Sequence, residues 1–281
     1  MQTNASTQSA RAMVALVTGA SSGIGAATAQ RLTSAGYRVY GTSRRPEGRD
    51  AGPIEMLTLD VTDEAAVANV VAHVLRESGR IDVLVNNAGF GLAPAGAEES
   101  SIDQARAIFD TNFFGVVRMT RAVLPHMREQ GSGRIINIGS VLGLLPMPYG
   151  ALYSATKHAL EGYSESLDHE TRTSGVRVSV IEPAFTQTRF DANVLAPDAT
   201  RDEYRQMRAH LSTLLPTQIA KGDDPRVVAD IVLKAATARR PQIRYTAGKA
   251  AAVLALLRRL APAALVDCGI RQSFKLDAVH L

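Results

Sequence analysis

Residues 18–25 read Thr-Gly-Ala-Ser-Ser-Gly-Ile-Gly, and this stretch decides how the chain is expected to fold. The short apolar run Met13 to Val17 stops at it and predicts a buried strand. The pattern from Ala26 to Ala35 predicts a helix that ends at Gly36, and Tyr37 to Thr42 predicts a second strand. Strand, glycine-rich turn, helix and strand together form the opening unit of a dinucleotide-binding fold.

The glycines of this turn, at positions 19, 23 and 25, follow a GxxxGxG spacing. Glycine lets the backbone approach a pyrophosphate closely, and the N-terminus of the following helix offers unpaired N–H groups and a positive dipole end. A turn whose glycines serve backbone geometry alone is the alternative. The flanking strand and helix favour the nucleotide-binding interpretation.

The end of the second strand predicts which dinucleotide is bound. An acidic residue at this position usually holds the ribose 2′-hydroxyl of NAD(H). Here the residues are Thr42-Ser43-Arg44-Arg45, with no acid and with two guanidinium groups that can pair with a 2′-phosphate. We therefore expect NADP(H) as the cofactor, with Arg44 as the stronger candidate because it is nearer the strand end. Two solvated surface arginines are the alternative.

The remainder of the chain alternates between strand and helix patterns. Further strands are predicted at 54–59, 81–85, 134–138, 176–181 and 242–245. Helices are predicted at 63–77 with Thr62 as the cap, at 101–129, at 153–172, at 225–238 and at 249–260. This alternation implies a parallel α/β sheet covered by helices on both faces. We expect a flexible tail at 1–12 and a single Rossmann-type domain at 13–281, with the irregular stretch 184–222 as a substrate lid.

Composition argues against several function classes. The chain of 281 residues has a net charge of +4 but no basic stripe with interleaved aromatic residues, which argues against a nucleic-acid partner. The single cysteine, Cys268, excludes an internal disulfide and a cysteine-built zinc site, and no metal-ligand cluster is visible. Residues 1–12 lack the apolar core of a signal peptide, and no window approaches 18 apolar residues. We expect a cytoplasmic protein without integral membrane association.

Tyr153 and Lys157 are four residues apart at the start of a predicted helix, so they lie on one helix face about one turn from each other. An ammonium this close favours the phenolate and lowers a tyrosine pKa that is about 10 when unperturbed. The pair therefore predicts acid–base chemistry. A half-buried ring beside a solvated charge is the alternative for this spacing taken alone.

Several separated segments, spread over residues 13–190, together resemble the short-chain dehydrogenase/reductase family. The residues that carry the resemblance are Thr18 to Gly25, Asn86 to Gly89, Asn112, Ser140, Tyr153 with Lys157, and Pro183 to Thr188. The resemblance implies a doubly wound sheet of seven parallel strands in the order 3-2-1-4-5-6-7. Within the family, the long segment after Thr188 and the arginines after the second strand look similar to the hydroxysteroid and retinol dehydrogenase branch.

The resemblance also implies a catalytic tetrad. Tyr153 would be the acid/base, and Lys157 would lower its pKa while binding the nicotinamide ribose. Ser140 would hydrogen-bond the substrate oxygen, and Asn112 would hold a water in a proton relay. Hydride transfer between the nicotinamide and a carbinol carbon would accompany proton transfer at the substrate oxygen.

Cofactor contacts are carried over from the same motifs. The expected residues are Gly19, Ser21, Ile24, Gly25, Arg44, Asp60, Val61, Asn86, Ala88, Gly89, Tyr153, Lys157, Pro183 and Thr188. Asp60 would lie by the adenine ring, although in isolation it reads as a helix-entry acid. The family usually has Pro-Gly where this chain has Pro183-Ala184, which makes the placement of Thr188 at the nicotinamide less secure.

Apolar residues near the predicted site indicate a lipophilic substrate pocket, with ordinary packing as the alternative. The candidates are Leu142, Leu145, Tyr149, Phe185 and Phe190. We expect an enzyme that interconverts a lipophilic alcohol and its ketone or aldehyde. A reductase of a polar or acyl-carrier-linked ketone and a non-catalytic NADP(H)-sensing protein are the alternatives. The resemblance implies a homodimer or homotetramer packed through the helices that carry Asn112 and Tyr153. The apolar helix at 249–260 is expected to pack on the core rather than to touch a membrane.

Overall fold

A computed structural model describes residues 12–45, 52–188, 190 and 194–277. The predicted tail at 1–12 lies, except for Ala12, outside the described residues. Within them the chain forms one sheet with the strands β1 Val14–Val17, β2 Arg38–Ser43, β3 Ile54–Thr58, β4 Val83–Asn86, β5 Gly133–Ile138, β6 Val176–Pro183 and β7 Arg244–Ala247. All pairings are parallel, in the order β3-β2-β1-β4-β5-β6-β7. The predicted fold and strand order are confirmed.

The α-helices of the described residues are α1 Gly23–Ser34, α2 Glu64–Ser78, α3 Ile102–Phe109, α4 Gly115–Gln130, α5 Ala151–Thr171, α6 Arg205–Ala220, α7 Pro225–Thr237, α8 Lys249–Leu260 and α9 Ala263–Ser273. Alternate residues along the strands pack into two separate hydrophobic cores, one on each face of the sheet. Leu16 packs in the core shared with α2, α4 and α5, while Val17 packs in the core shared with α1 and α7. The two apolar layers account for strands that are hydrophobic on both faces.

The strand order reverses between β1 and β4, since β1 pairs with β2 on one side and β4 on the other. The carboxyl ends of all seven parallel strands lie at the same edge of the sheet. In open α/β sheets the crevice outside those ends, at such a switch point, is where ligands bind. The loops after β1, β2, β4, β5 and β6 therefore define the region in which the site is built.

The helix predicted at 101–129 is wrong as a single element. A π-helical segment, Asp110–Phe114, separates α3 from α4, and the Asp110 carbonyl accepts a hydrogen bond from the Gly115 N–H. Asn112 lies in this segment and is buried. Wider turns of this kind often occur at functional sites.

The predicted Thr62 cap is also wrong. Asp63 caps α2, because its Oδ1 accepts hydrogen bonds from the N–H groups of Ala65 and Ala66 at 2.8 and 3.1 Å. Thr62 instead donates its N–H and its hydroxyl to the carboxylate of Asp60, at 2.9 and 2.8 Å. Both residues have capping side chains, and local turn geometry selects the carboxylate.

The segment predicted as a lid at 184–222 is partly helical, since it contains α6. Its described residues are anchored to the loop after β4. Leu195 exchanges main-chain hydrogen bonds with Gly91 and Ala93, at 3.1 and 2.8 Å. The carboxylate of Glu99, which is fully buried, accepts the Arg201 N–H at 2.7 Å and pairs with Arg208. That this segment acts as a lid stays a prediction.

Two features of the C-terminal region differ from expectation. Helix α9 was not predicted. Helix α8 packs on the protein through Ala251, as expected, but four of its large apolar side chains are more than half exposed, so the expectation that its apolar face lies in the core is wrong. In the described ranges of the chain, no helix is both long and apolar enough to cross a bilayer.

Close packing at the start of α1 depends on the absence of a side chain at Gly25. A Cβ atom there would lie 2.2 Å from the Gly19 carbonyl oxygen and 2.5 Å from Nδ2 of Asn87. Gly162, on the exposed face of α5, has nothing within 4 Å of the same position.

We predict that Gly25→Ala lowers the free energy of unfolding by about 3 kcal/mol, because the added methyl group must displace main-chain atoms. Gly162→Ala is the matched control and should raise it by about 0.5–1 kcal/mol through helix propensity. Urea unfolding of both variants measures the difference. Equal effects of the two substitutions would contradict the packing argument.

Candidate active site

The loops after β1 and β4 are held together by side chain to main chain hydrogen bonds. The Thr18 hydroxyl accepts the N–H groups of Asn87 and Ala88 at 2.9 and 3.0 Å. The Asn87 amide donates to the carbonyls of Thr18 and Gly19 at 2.9 and 3.1 Å. These bonds fix the glycine-rich turn against the end of β4. Thr18 and Asn87 were not among the predicted contact residues, although both stand inside the motifs.

The N-terminus of α1 is arranged to receive an anion. Ser22, its N-cap residue, makes no side-chain capping hydrogen bond, and the first turn contains no acidic residue. Gly19 and Gly23 have φ values of +65° and +54°, a conformation that favours glycine. Ser21 and Ile24 belong to the same turn. The first N–H groups of an α-helix have no partner within the helix, and together with the helix dipole they suit the pyrophosphate of a dinucleotide.

Thr188 lies beside this turn, since a Cβ on Gly23 would meet the Cβ and Cγ2 atoms of Thr188 at 3.1 Å. The chain reaches it from Pro183, the last residue of β6. Thr188 is therefore brought to the predicted cofactor region even though Ala184 replaces the usual glycine.

Arg44 is exposed immediately after β2, and Ser43 forms a tight turn with Arg45 through its hydroxyl. The positive charge of Arg44 acts on the carboxylate of Asp60. Burial works to raise the pKa of Asp60, but hydrogen bonds from Thr62 and the charges of Arg44 and Arg118 outweigh it and hold the pKa below the usual range. Arg44 thus acts electrostatically on Asp60, and contact of both residues with the nucleotide stays a prediction. Val61 is buried and packs against Gly115.

Asparagines tie the ends of β4 and β5 to α5. The amide of Asn86 donates to Oδ1 of Asn137 at 2.9 Å, and Asn137 donates to the Ser164 hydroxyl at 2.8 Å. Among the described residues, Oδ1 of Asn86 is buried without a hydrogen-bond partner. A buried acceptor of this kind fits a polar ligand group at the strand end.

Asn112 is buried, and both halves of its amide are engaged by one residue. Its Oδ1 accepts the Phe90 N–H at 3.0 Å, and its Nδ2 donates to the Phe90 carbonyl at 2.9 Å. A Cβ on Gly89 would lie 3.0 Å from the same Oδ1, so Gly89 makes room for this contact. The side chain therefore positions the loop after β4, and the relay role for Asn112 stays a prediction.

Ser140, Tyr153 and Lys157 converge where β5 meets α5. Lys157 Nζ donates to the Ile138 carbonyl at 2.8 Å, two residues before Ser140, and lies 5.6 Å from the centroid of the Tyr153 ring. Ser140 is 8% exposed, and its hydroxyl oxygen accepts the Leu142 N–H at 3.1 Å, which leaves the O–H free to turn. This arrangement supplies a phenol, a hydroxyl and an ammonium within one small region.

Burial governs the titration of the Tyr153 and Lys157 pair. It raises the pKa of the Tyr153 phenol above its usual range. It also lowers the pKa of Lys157 to about 8, against the opposing charge of Glu161. The pKa of the phenol is therefore raised where the sequence predicted that it is lowered, because desolvation is the cause that acts on Tyr153 in this structure. The role of Lys157 in favouring the phenolate during the reaction stays a prediction.

A cluster of charged residues that was not predicted lies behind Lys157. Arg244 Nε is 2.9 Å from Oε2 of Glu161 and 3.4 Å from Oε1 of Glu182, and Arg244 Nη1 is 2.6 Å from Glu165. Burial and the nearby Glu161 charge raise the pKa of Glu182 to about 7, although Arg244 opposes them. The position of Glu161 one helical turn after Lys157 is a signal that the sequence did contain.

Only part of the predicted pocket is brought to Tyr153. The ring of Phe190 lies edge-on to that of Tyr153, with 5.8 Å between their centroids. Tyr149 lines a cavity of about 20 Å³ together with Tyr153. Leu145 is buried in the same loop, and Leu142 is half-buried there. Phe185 is 37% exposed, and its main chain pairs with Asp223, so it is not placed at Tyr153.

Tyr149 has a φ of +61°, which is unusual for an aromatic residue. Its carbonyl accepts the Ala95 N–H at 3.0 Å, and its ring packs against Tyr204 at 6.0 Å between centroids. Strained backbone of this kind concentrates at functional sites. The strain supports Tyr149 as a pocket residue.

The described residues also bear on the metal prediction and contain a second cavity away from Tyr153. In the described part of the chain, no group of three or more His, Cys, Asp or Glu side chains could hold a metal ion. A larger groove, of about 440 Å³, lies on α3 and the π-helical segment and is lined by Ile102, Phe109 and Phe114 among others. It contains none of the predicted site residues.

Comparison with known proteins identifies relatives over most of the chain. A sequence profile of the short chain dehydrogenase family matches residues 13–199. The 3-ketodihydrosphingosine reductase of Bacteroides thetaiotaomicron is 38% identical over 243 residues, which cover 86% of this chain and 90% of that protein. Human 17-beta-hydroxysteroid dehydrogenase type 1 is 37% identical over 253 residues, which cover 83% of this chain and 76% of that protein.

Solved structures agree with the sequence relatives. A short-chain dehydrogenase from Streptomyces avermitilis matches with a TM-score of 0.76 and 34% identity, over 95% of this chain and 97% of that chain. The closed form of a serine dehydrogenase complexed with NADP+ matches with a TM-score of 0.71 and 30% identity, over 83% of this chain and 94% of that chain.

We predict that Glu182→Gln stabilises the protein at high pH. The folded state holds the Glu182 proton more strongly than the unfolded chain does, so the free energy of unfolding falls as pH rises from 4.5, the ordinary carboxyl value, to about 7. The variant should match the parent at pH 4 and exceed it at pH 8 by up to about 3 kcal/mol. Urea unfolding at both pH values measures this.

Glu165→Gln is the matched control, because it removes the more exposed carboxylate that also binds Arg244. It should not be more stable than the parent at pH 8. A Glu182→Gln variant that is no more stable than the parent at pH 8 would contradict the assignment of a costly buried charge.

Proposed function

The chain belongs to the short-chain dehydrogenase/reductase family, and on that premise we propose that it is an NADP(H)-dependent oxidoreductase for a lipophilic alcohol and its ketone or aldehyde. The observation that carries the proposal is the convergence of Tyr153, Lys157 and Ser140 at the strand edge onto which the glycine-rich turn also opens. Relatives of this chain are oxidoreductases that act on CH–OH groups.

The residues present fit the proposed cofactor. NADP(H), when bound, gives or accepts the hydride of the reaction. The N–H groups at the start of α1 would hold its pyrophosphate, and Arg44 its 2′-phosphate. Gly19 and Gly25 keep this cradle free of side chains, and the buried Oδ1 of Asn86 is available to a polar group of the ligand. The NADP+ named for the similar serine dehydrogenase structure supports the choice.

Side chains of the protein would donate the proton to the substrate oxygen and stabilise the negative charge that develops on it. The raised pKa of Tyr153 keeps the phenol protonated near neutral pH, which suits it to donate a proton during carbonyl reduction. Ser140 donates a second hydrogen bond to the same oxygen. Lys157, held by the Ile138 carbonyl, places its positive charge beside the phenol and favours the phenolate that proton transfer leaves.

The lipophilic substrate class rests on two kinds of support. Phe190 and Tyr149 present aromatic surface next to Tyr153. Both relatives take their names from lipophilic molecules, 3-ketodihydrosphingosine and a 17-beta-hydroxysteroid. A small polar substrate is the second candidate, favoured by the similarity to a serine dehydrogenase. Assembly into a homodimer or homotetramer is also proposed, and the apolar groove on α3 supports it.

We predict that Tyr153→Phe lowers kcat/KM for NADPH-dependent carbonyl reduction by about 10²–10⁴-fold, because general acid catalysis contributes that range. The assay is NADPH oxidation with a panel of steroid, long-chain aliphatic, amino-acid-derived and acyl-thioester carbonyls. NADPH binding, followed by its fluorescence, should be retained. Tyr163→Phe, on the same helix, is the matched control and should keep activity within a few-fold.

Full activity of the Tyr153→Phe variant would refute the assigned mechanism. Activity confined to the polar or acyl-thioester carbonyls would refute the lipophilic substrate. NADPH binding without turnover of any panel member would favour the cofactor-sensing alternative.

We predict that Arg44→Asp reverses the cofactor preference. The unmodified protein should show a higher kcat/KM with NADPH than with NADH, because a guanidinium pairs with the 2′-phosphate. The aspartate would repel that phosphate and bind the ribose hydroxyl of NADH. Arg45→Asp, one residue further from the strand, is the matched control and should have a smaller effect. An unmodified protein that prefers NADH would overturn the assignment.

A further inference from the structure

An apolar stripe on α8 faces away from the protein. Val253, Leu256, Leu257 and Leu260 follow the spacing i, i+3, i+4 and i+7, so they share one helix face. Their exposed fractions lie between 51% and 70%. On the other side of the helix Ala251 is fully buried. We call these four residues the α8 stripe.

The helix is attached to the body of the protein near the candidate site. Arg258 Nε donates to the Leu144 carbonyl at 3.0 Å, in the loop that follows Ser140. The next helix, α9, ends against the lid segment, where the ring of His210 on α6 hydrogen-bonds the Phe274 carbonyl at 3.2 Å. The exposed face thus belongs to a helix pair that bridges the Ser140 loop and α6. Leu265, 65% exposed, extends the apolar surface onto α9.

The charge around the stripe is positive. Residues 249–277 contain five basic and two acidic side chains, a net charge of +3. Arg258 and Arg259 stand together in the last turn of α8, and Lys249 begins it. One of the two acids, Asp277, is paired with Arg271. Contiguous exposed apolar surface with a basic border is typical of a site that binds a partner of negative charge.

We propose that the α8 stripe docks the protein on the surface of an anionic phospholipid bilayer. A helix of 12 residues is too short to span a membrane but suits the interface, with leucines among the acyl chains and Arg259 and Lys249 at the headgroups. Two-fold pairing with a second copy fits the face less well, because it brings two basic surfaces together. The proposal is independent of catalysis, and its readout is vesicle binding.

Vesicle flotation tests the proposal. The full chain should bind vesicles of phosphatidylcholine with phosphatidylglycerol at least tenfold more tightly than vesicles of phosphatidylcholine alone, because the basic residues attract anionic headgroups. The double variant Leu256→Glu with Leu260→Glu should lose at least tenfold of that binding. Its NADPH oxidation with a water-soluble carbonyl and its thermal midpoint should stay as in the parent, because both residues are exposed and outside the site.

Two further variants make the test specific. Met13→Glu changes an exposed apolar residue just before β1, 44% exposed, and should leave vesicle binding unaltered. Arg259→Glu should weaken binding to the anionic vesicles more than to the neutral ones. Absence of vesicle binding by the parent, or equal loss in the Met13 variant, overturns the proposal. So does a fall in particle mass, by light scattering, on substitution of Leu256 and Leu260, because the occupant would then be a second copy.

Discussion

The Gly19 carbonyl accepts a hydrogen bond from the Asn87 amide in space that a side chain at position 25 would occupy, and the candidate site depends on this close approach. It brings the turn after β1 against the end of β4 at the point where the strand order reverses. A crevice at that point opens onto the start of α1, where N–H groups are left for an anion. The glycines therefore serve backbone geometry and ligand access together, because the same missing side chains make both possible.

Desolvation is the dominant electrostatic influence on the pair Tyr153 and Lys157. It raises the pKa of Tyr153 and lowers that of Lys157, so each group is pushed toward its neutral form. Glu161, one turn beyond Lys157, counters this for the lysine and is itself paired with Arg244. A charge on α5 is in this way linked to β7, at the edge of the sheet. Burying several charges together is costly, and groups of this kind are retained where they position or tune a site.

The sequence predicts well what depends on local pattern, and less well what depends on partners distant in the chain. The strands and the glycine-rich turn follow from apolar runs and glycine spacing, and family resemblance supplies the strand order. The choice of Asp63 over Thr62 as cap depends on a turn geometry that both side chains can satisfy. The π-helical segment has no separate pattern, because it shares the helical periodicity on either side. The contact of Arg244 with Glu182 joins residues from separate strands, which periodicity does not reveal.

Helices α2 and α8 show why an amphipathic pattern alone does not locate a core. Val67, Val70, Val71 and Val74 of α2 have the same spacing as the α8 stripe, yet they are at most 6% exposed, while the stripe is at least 51% exposed. The spacing of apolar residues identifies one face of a helix. The rest of the fold decides whether that face packs against the protein or is exposed. In α2 the face lies on the sheet, whereas in α8 a buried alanine and Arg258 occupy the inner side. An apolar face that is exposed on a basic helix would gain free energy if its surface were removed from water. An anionic bilayer can bury the apolar side chains and also pair its headgroups with the basic ones.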